Sequence, residues 1–176
     1  MGVDPAYRES ARETGAWLAA EGIELVYGGG NNGLMGVLAD AVLAGGGRVT
    51  GVIPDFLLAK EVGHQGVQEL VVVSTMHERK ARMASLADAF VALPGGCGTL
   101  EELFEILTWA QLRLHAKPIG LLNVKGFYDP LLQMLDHALA EGFLAPHHRE
   151  LVLAGVALPE LMTRMAAVAP LTIDKV

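Results

Sequence analysis

Short apolar runs alternate with longer segments of helical periodicity along the chain, and this alternation constrains the fold more than any other feature. The predicted strands cover residues 23–27, 48–54, 69–74, 88–94, 118–123 and 151–154. The predicted helices cover residues 5–21, 33–44, 76–87, 99–115, 129–142 and 158–169. Because strand–helix–strand units form parallel sheets covered by helices, the pattern predicts an α/β fold with a parallel sheet and helices on both faces.

The composition favours one soluble domain over residues 1–176 and argues against several classes of function. No apolar run reaches the ~18 residues of a membrane helix, and the N-terminus has no signal-peptide core. A net charge of −7 argues against nucleic-acid binding, which favours a basic face. The single cysteine, Cys97, excludes an intrachain disulfide and suits a reducing cytoplasm.

The segment GGGNNG, residues 28–33, follows the first predicted strand and opens a helix. Gly28, Gly30 and Gly33 match the G-x-G-x-x-G spacing of dinucleotide-binding turns. That fingerprint also needs an acid after the second strand, where Asp55 is the candidate although it follows a proline in a loop. Two interpretations stay open: contact with a nucleotide, or glycines that allow a tight turn and close packing.

The segment STMHERK, residues 74–80, predicts a helix start that can hold an anion. Thr75 and Glu78 have capping-box spacing, so Glu78 is predicted to be structural. Arg79 and Lys80 lie in the first helical turn, where each cation opposes the helix dipole at a cost of up to ~1 kcal/mol. A bound phosphate would reverse that sign. We favour this interpretation over two solvated charges, because parallel sheets bind ligands beyond the carboxyl ends of their strands.

The segment PGGCGTLEE, residues 94–102, is a glycine turn at the start of another helix. Such a turn favours an anion, yet Glu101 and Glu102 follow it closely. Thr99 and Glu102 have capping-box spacing, which would explain Glu102 without catalysis. Cys97 is expected to be a small loop residue rather than a nucleophile, since no activating base is evident.

Glu105 and the histidines carry no predicted chemistry. Glu105 is expected to be solvated, one turn beyond Glu101. The six histidines show no metal-ligand spacing, so no metal site is predicted.

Together the three loops resemble the lonely-guy family, the cytokinin riboside 5′-monophosphate phosphoribohydrolases, often described as lysine decarboxylase-like. The family hallmark P-G-G-x-G-T-x-x-E is complete at residues 94–102. YGGGNNGLMG at 27–36 and MHERK at 76–80 match in the same order. The resemblance covers the chain from Asp4 to about residue 160.

The resemblance implies a Rossmann-like, doubly wound parallel sheet and a homodimer. It also implies hydrolysis of the N-glycosidic bond of an adenine-type nucleoside 5′-monophosphate, giving free base and ribose 5-phosphate without a cofactor. Catalytic roles fall on Arg79 and Glu102. By matching positions, substrate contacts fall on Gly29, Gly30, Glu61, Met76, Arg79, Lys80, Gly95, Gly96, Cys97, Gly98, Thr99, Leu100, Glu101 and Thr108.

The sequence departs from the family in one respect. Members usually begin with a further strand and a Gly/Ser-rich loop before the segment that corresponds to Pro5–Tyr7. This sequence has neither, so we expect the fold without the usual first strand.

The resemblance suggests why two carboxylates follow an anion-binding turn. Cleavage of a ribosyl–base bond builds positive charge on the sugar, which a carboxylate stabilises while it orients or deprotonates water. The turn would hold the 5′-phosphate and Glu102 would serve the sugar, with Glu101 as the second candidate if Glu102 is committed to a cap. Arg79 would counter the accumulated negative charge.

Other functions stay open beside this one. One is a nucleosidase that acts broadly on purine or pyrimidine monophosphates. Another is a module that carries a nucleotide or pterin-type cofactor without cleaving it. An NAD-dependent oxidoreductase and a lysine decarboxylase are disfavoured, because the first lacks a convincing ribose-binding acid and the second needs pyridoxal phosphate on a reactive lysine.

Overall fold

The computed structural model describes residues 2–61 and 63–168, and helices alternate with strands throughout. The helices are α1 Pro5–Ala20, α2 Gly33–Ala44, α3 Asp55–Glu61, α4 Met76–Leu86, α5 Cys97–Gln111, α6 Asp129–Ala140, α7 Pro146–Arg149 and α8 Leu158–Ala166, with a 3-10 turn at Val124–Gly126. The strands are β1 Leu25–Tyr27, β2 Val49–Pro54, β3 Glu69–Val73, β4 Phe90–Ala92, β5 Ile119–Leu122 and β6 Val152–Gly155.

The chain divides into two compact units, of which the first is Met1–Ala87. Its strands pair in parallel in the order β1-β2-β3, with Tyr27 opposite Gly51 at the end of β1. Helices α1 and α2 pack on each other, and their core includes Leu18 and Val42. Any side chain on Gly15 would collide with the backbone and Ala41 of α2, so glycine permits this close packing.

The second unit is Asp88–Val176, whose strands pair in parallel in the order β4-β5-β6. Helix α8 packs on β5 and β6. Leu161 and Met165 of α8 are buried, and both lie where a side chain on Gly120 would extend. The apolar faces of α8 and β5 therefore form part of the core of this unit.

The predicted α/β class and the parallel pairing are confirmed. The backbone ladders join strands that are consecutive along the chain, so the described strands form two three-stranded sheets, one in each unit. Helix α1 precedes the first described strand, as the sequence predicted.

The sequence pattern predicts a loop and no helix or strand between the strands 48–54 and 69–74, and this is partly wrong, because Asp55–Glu61 forms helix α3. The Asp55 carboxylate accepts a hydrogen bond from the Phe56 N–H at 2.6 Å, which satisfies one of the free donors of a helix start. The 3-10 turn and α7 were also not predicted. In the described part of the chain, no helix is long and apolar enough to cross a membrane.

Candidate functional site

The glycine turn after β1 is held by the side chain of Arg79. Its Nη2 donates to the Gly28 carbonyl at 2.9 Å, and its Nε donates to the Val52 carbonyl at 3.1 Å. A Cβ on Gly28 would collide with the guanidinium, so glycine is required here by the close approach of Arg79. Arg79 thus joins the ends of β1 and β2 beneath the turn.

The next residue, Gly29, is required for its backbone conformation. Its φ of 73° lies in the left-handed region that favours glycine. Its Cα also lies where a side chain on Gly51 of β2 would extend, at 2.8 Å. Gly29 and Gly30 are both buried, so the turn lies close against its own unit.

Arg79 and Lys80 were predicted to face a ligand, and both are buried, with 6% and 7% of their surface exposed. The alternative of two solvated charges is therefore wrong. The guanidinium also donates to the Met76 sulfur at 3.8 Å. These contacts use three of its five N–H donors, so Arg79 has a structural role whether or not it touches substrate.

The predicted cap of α4 is confirmed. Thr75 is the N-cap, and its hydroxyl accepts from the Glu78 N–H at 3.1 Å. The Glu78 carboxylate accepts in return from the Ser74 N–H at 2.8 Å, one residue before the usual position. Glu78 is structural, as the sequence predicted.

The predicted cap of α5 is wrong. The helix begins at Cys97 with Gly96 as its N-cap, and no side chain caps it. The Leu100 N–H donates to the Gly96 carbonyl at 3.1 Å, which places Thr99 inside the first turn. The sequence pattern placed the helix start too late because it assigned the glycines to a loop, whereas Gly98 lies inside the helix. A capping box with Thr99 therefore does not explain Glu102.

The first turn of α5 keeps backbone N–H groups that have no acceptor within the helix. Gly96, Cys97 and Gly98 are exposed, and half-buried Thr99 lies where any side chain on Gly95 would extend. Glycine at position 95 therefore lets the turn fold closely onto α5. The arrangement suits an anion, because the N–H groups and the helix dipole favour negative charge.

The carboxylates lie beyond this first turn, which contains no acidic residue. Glu101 is exposed, whereas Glu102 is half-buried beside the core face of α5. Glu105 was predicted to be solvated, and this is wrong, because it is half-buried and its Oε2 is shielded from solvent. Glu102 is thus the less exposed of the two candidate catalytic carboxylates.

The structure places the other predicted contact residues as follows. The hydroxyl of Thr108 is exposed and donates to the Phe104 carbonyl one turn earlier, at 2.7 Å. Leu100 is half-buried in the first turns of α5. Glu61 ends α3, and its side chain lies outside the described part of the chain.

A polar network that the sequence analysis missed anchors the loop before α5. The Tyr128 hydroxyl donates to the Leu93 carbonyl at 2.6 Å, next to the glycine turn, and burial raises the pKa of Tyr128 to about 12. The Tyr128 N–H donates to the Asn123 side chain at 2.7 Å, and that amide donates to Asp129 at 2.7 Å. In the sequence, this network could have been predicted from Asn123 and Asp129, two polar residues near an aromatic residue after a strand.

Two histidines are buried with both ring nitrogens engaged. His115 bonds the Ile106 carbonyl at 2.9 Å and accepts from the Lys117 N–H at 3.1 Å. His64 bonds Asp40 at 3.0 Å and accepts from the Gly66 N–H at 3.2 Å. Within the described residues, no group of three or more His, Cys, Asp or Glu side chains could hold a metal ion.

The sequence of this chain matches a known protein family and several of its members. The model of a family described as "Possible lysine decarboxylase" matches residues 35–165. A probable cytokinin riboside 5′-monophosphate phosphoribohydrolase of Oryza sativa subsp. japonica, LOGL9, is 53% identical over 94% of this chain and 73% of its own length. The Arabidopsis thaliana cytokinin riboside 5′-monophosphate phosphoribohydrolase LOG1 is 48% identical over 94% of this chain and 78% of its own length.

Solved structures show the same fold at lower identity. A molybdenum cofactor binding protein from Rippkaea orientalis has a TM-score of 0.67 and 23% identity, covering 93% of this chain and 87% of its own. The molybdenum cofactor carrier protein of Chlamydomonas reinhardtii has a TM-score of 0.68 and 20% identity, covering 94% and 91%. Likeness at this identity concerns the fold alone. By its relatives and its three loops, the chain belongs to the lonely-guy family of cytokinin riboside 5′-monophosphate phosphoribohydrolases.

Proposed function

We propose that the protein hydrolyses the N-glycosidic bond of adenine-type nucleoside 5′-monophosphates, cytokinin nucleotides among them, to free base and ribose 5-phosphate. The observation that carries the proposal is the start of α5, where an uncapped glycine turn is followed by a half-buried carboxylate that does not belong to a capping box. The names of the relatives point to the same reaction.

The 5′-phosphate binds at the turn formed by Gly95, Gly96, Cys97 and Gly98. The exposed residues of this turn offer N–H groups, and the dipole of a 15-residue helix adds to their attraction for an anion. Thr99, Leu100 and Glu101 continue this surface. Because the first turn contains no acidic side chain, it does not repel the phosphate.

Glu102 acts on the sugar. It lies five residues after Cys97, about 7.5 Å along the helix axis, and helical side chains lean toward the N-terminus. Its carboxylate would then stabilise the oxocarbenium-like sugar and accept a proton from the attacking water. The water oxygen bonds to the anomeric carbon and the bond to the base breaks. The leaving base takes up one proton from solvent, and Glu102 later returns the proton of the water to solvent. Half-burial strengthens this electrostatic effect, which favours Glu102 over exposed Glu101.

Gly29, Gly30, Met76, Arg79 and Lys80 keep the substrate-contact roles that the family resemblance implies. We assign Arg79 a dual role. Its contacts with Gly28 and Val52 set the shape of the turn, and its charge offsets that of the nucleotide. Glu61 and Thr108 complete the assignments that the family resemblance implies.

The main alternative is a nucleosidase that acts on purine and pyrimidine monophosphates alike. The shape of the pocket that binds the base determines which of the two activities the protein has. A non-catalytic carrier is the second alternative, and the fold likeness to molybdenum cofactor carriers is its only support. A carrier has no need of a carboxylate at the anomeric carbon, so half-buried Glu102 favours hydrolysis.

We also propose that the whole chain acts as one domain in a cytoplasmic homodimer without a cofactor. Family resemblance supports the dimer, and the single cysteine supports a reducing compartment. Light scattering should then give twice the 18.6 kDa chain mass. A mass equal to one chain at working concentration would contradict the dimer.

The reaction is tested by chromatography after incubation with isopentenyladenosine monophosphate, AMP, UMP and adenosine. We expect free base and ribose 5-phosphate from the adenine nucleotides and none from adenosine, because adenosine has no phosphate for the α5 turn. Equal release from UMP would favour the broad nucleosidase. Nucleotide binding without release of any base would favour the carrier.

A further inference from the structure

His64 connects the glycine turn after β1 to helix α2. Its backbone N–H donates to the Gly29 carbonyl at 3.1 Å, beside a β-bridge between Gly30 and Gly63. Its ring bonds Asp40 of α2 at 3.0 Å. Asp40 lies seven residues into α2, the helix that begins directly after the turn, so His64 links the turn to the helix that follows it.

The ring of His64 is held at both nitrogens. Nδ1 accepts from the Gly66 N–H at 3.2 Å, so the neutral ring carries its proton on Nε2 and donates to Asp40. His64 is buried, with 6% of its surface exposed, whereas the Asp40 side chain is 69% exposed. Burial and the bond to Gly66 therefore fix the ring more than the solvent-screened pairing with Asp40.

Two consecutive carbonyls of the turn are thus held from different sides. Arg79 holds the Gly28 carbonyl, and the His64 N–H holds the Gly29 carbonyl. A trans peptide is planar, so a fixed carbonyl also fixes the direction of the N–H on the following residue. All described peptide bonds are trans. Arg79 therefore orients the Gly29 N–H, and His64 orients the Gly30 N–H.

We propose that His64 is a positioning residue, which fixes the Gly29–Gly30 peptide so that the N–H groups of this turn meet the nucleotide in one orientation. The proposal rests on the proposed function in that it takes the turn as part of the nucleotide site. The need for such a brace follows from glycine, whose backbone otherwise samples many conformations. Arg79 holds only the preceding Gly28–Gly29 peptide, whereas His64 holds the Gly29–Gly30 peptide.

The test compares His64→Phe with His115→Phe. Both changes keep an aromatic ring and remove two ring hydrogen bonds from a buried histidine. The His64 ring holds the residue whose backbone N–H donates to the turn, whereas the His115 ring bonds Ile106 and Lys117. The readouts are amide hydrogen exchange of Gly30 in the ligand-free protein, KM and kcat for AMP, and Tm.

We expect His64→Phe to speed exchange at Gly30 and to raise KM about tenfold with little change in kcat, the size of one misaligned hydrogen bond. His115→Phe should lower Tm without either effect. His64→Asn should return KM toward the wild-type value, because its side-chain carbonyl can accept from the Gly66 N–H. If His64→Phe does not fold, Asp40→Ala, at an exposed side chain, should produce the same changes at smaller size.

Equal Gly30 exchange and equal KM in His64→Phe and His115→Phe would overturn the proposal. If His64→Phe does not fold, an Asp40→Ala variant with the Gly30 exchange and KM of wild type would overturn it. Failure of the proposed function is seen separately, as absence of base release by the wild-type protein. Exchange at Gly30 then still decides whether His64 fixes the turn.

Discussion

At the scale of single residues, Gly28 shows how a neighbouring side chain determines which amino acid a position can hold. Its φ is not in the left-handed region, and the reason for glycine is the Arg79 guanidinium, which lies where a Cβ would be. We predict that Gly28→Ala displaces Arg79 from two carbonyls and lowers the free energy of unfolding by about 2–3 kcal/mol, as overpacking and broken buried bonds do. Urea unfolding measures this change.

The matched control for Gly28→Ala is Gly98→Ala. Nothing lies within 4 Å of a Cβ built on Gly98, and the residue is inside the first turn of α5. Alanine there should leave the free energy of unfolding unchanged or raise it by up to ~1 kcal/mol. If both variants lose equal stability, the contact with Arg79 is not the reason for glycine at position 28.

Two buried tyrosines form a second contrast. The Tyr27 hydroxyl is buried without a hydrogen-bond partner among the described residues, whereas that of Tyr128 donates to Leu93. We predict that Tyr27→Phe keeps stability or raises it by about 1 kcal/mol, and that Tyr128→Phe lowers it by about 1–2 kcal/mol. Thermal unfolding tests both, and a destabilised Tyr27→Phe would contradict the assignment.

The same tyrosines predict a loss of stability at alkaline pH. Burial, followed by the nearby Asp40 charge, raises the pKa of Tyr27 to about 12, and burial raises that of Tyr128 to about 12. The unfolded chain releases these protons near pH ~10, so their contribution is complete below about pH 10 and is lost as pH rises toward 12. Tyr27→Phe should therefore lose less stability between about pH 9 and pH 11 than wild type. An identical loss would contradict the raised pKa.

At the scale of elements, apolar runs and periodicity predicted most helices and strands, because burial of one face leaves a direct sequence signal. Helix α2 was predicted with the bounds observed, Gly33–Ala44. The start of α5 was predicted two residues late, and α3 was missed. Glycine and proline near both elements favoured loops, whereas the helix starts were decided by local backbone hydrogen bonds.

Contacts between residues far apart along the chain could not be predicted from apolar runs or periodicity. The carbonyl partners of Arg79 are 27 and 51 residues away, and Tyr128 lies 35 residues from its acceptor Leu93. Sequence motifs therefore located the candidate site residues but did not show that Arg79 also shapes the turn. The family resemblance supplied the reaction, while the structure supplied the burial that separates Glu102 from Glu101.

The end of α5 predicts a stabilising change. Arg113 follows the helix with a φ of 59°, a conformation that costs most side chains roughly 1–2 kcal/mol and glycine little. Arg113→Gly should raise the free energy of unfolding by about 1 kcal/mol, or Tm by about 2–4 °C. Calorimetry measures this change, and Arg113→Ala, which keeps the strain, should show no such gain.

At the scale of the whole molecule, the three candidate loops share one position relative to the strands. The glycine turn follows β1, the MHERK segment follows β3, and the second glycine turn follows β4. Parallel α/β sheets place their ligands beyond the carboxyl ends of their strands, so function is expected in these loops. Within each unit, buried residues hold the glycine turns in place: the side chain of Arg79 and the backbone N–H of His64 in the first, and the side chain of Tyr128 in the second.

In the proposed reaction the carboxylate of Glu102 performs the chemistry while the glycine turn before α5 binds the phosphate. The most direct test is kcat and KM for AMP in Glu102→Gln, with Glu101→Gln as the neighbouring control. We predict that Glu102→Gln lowers kcat at least about 100-fold with KM little changed, and that Glu101→Gln keeps most of kcat. Retention of kcat in Glu102→Gln, or an equal loss in both variants, would contradict a catalytic role for Glu102.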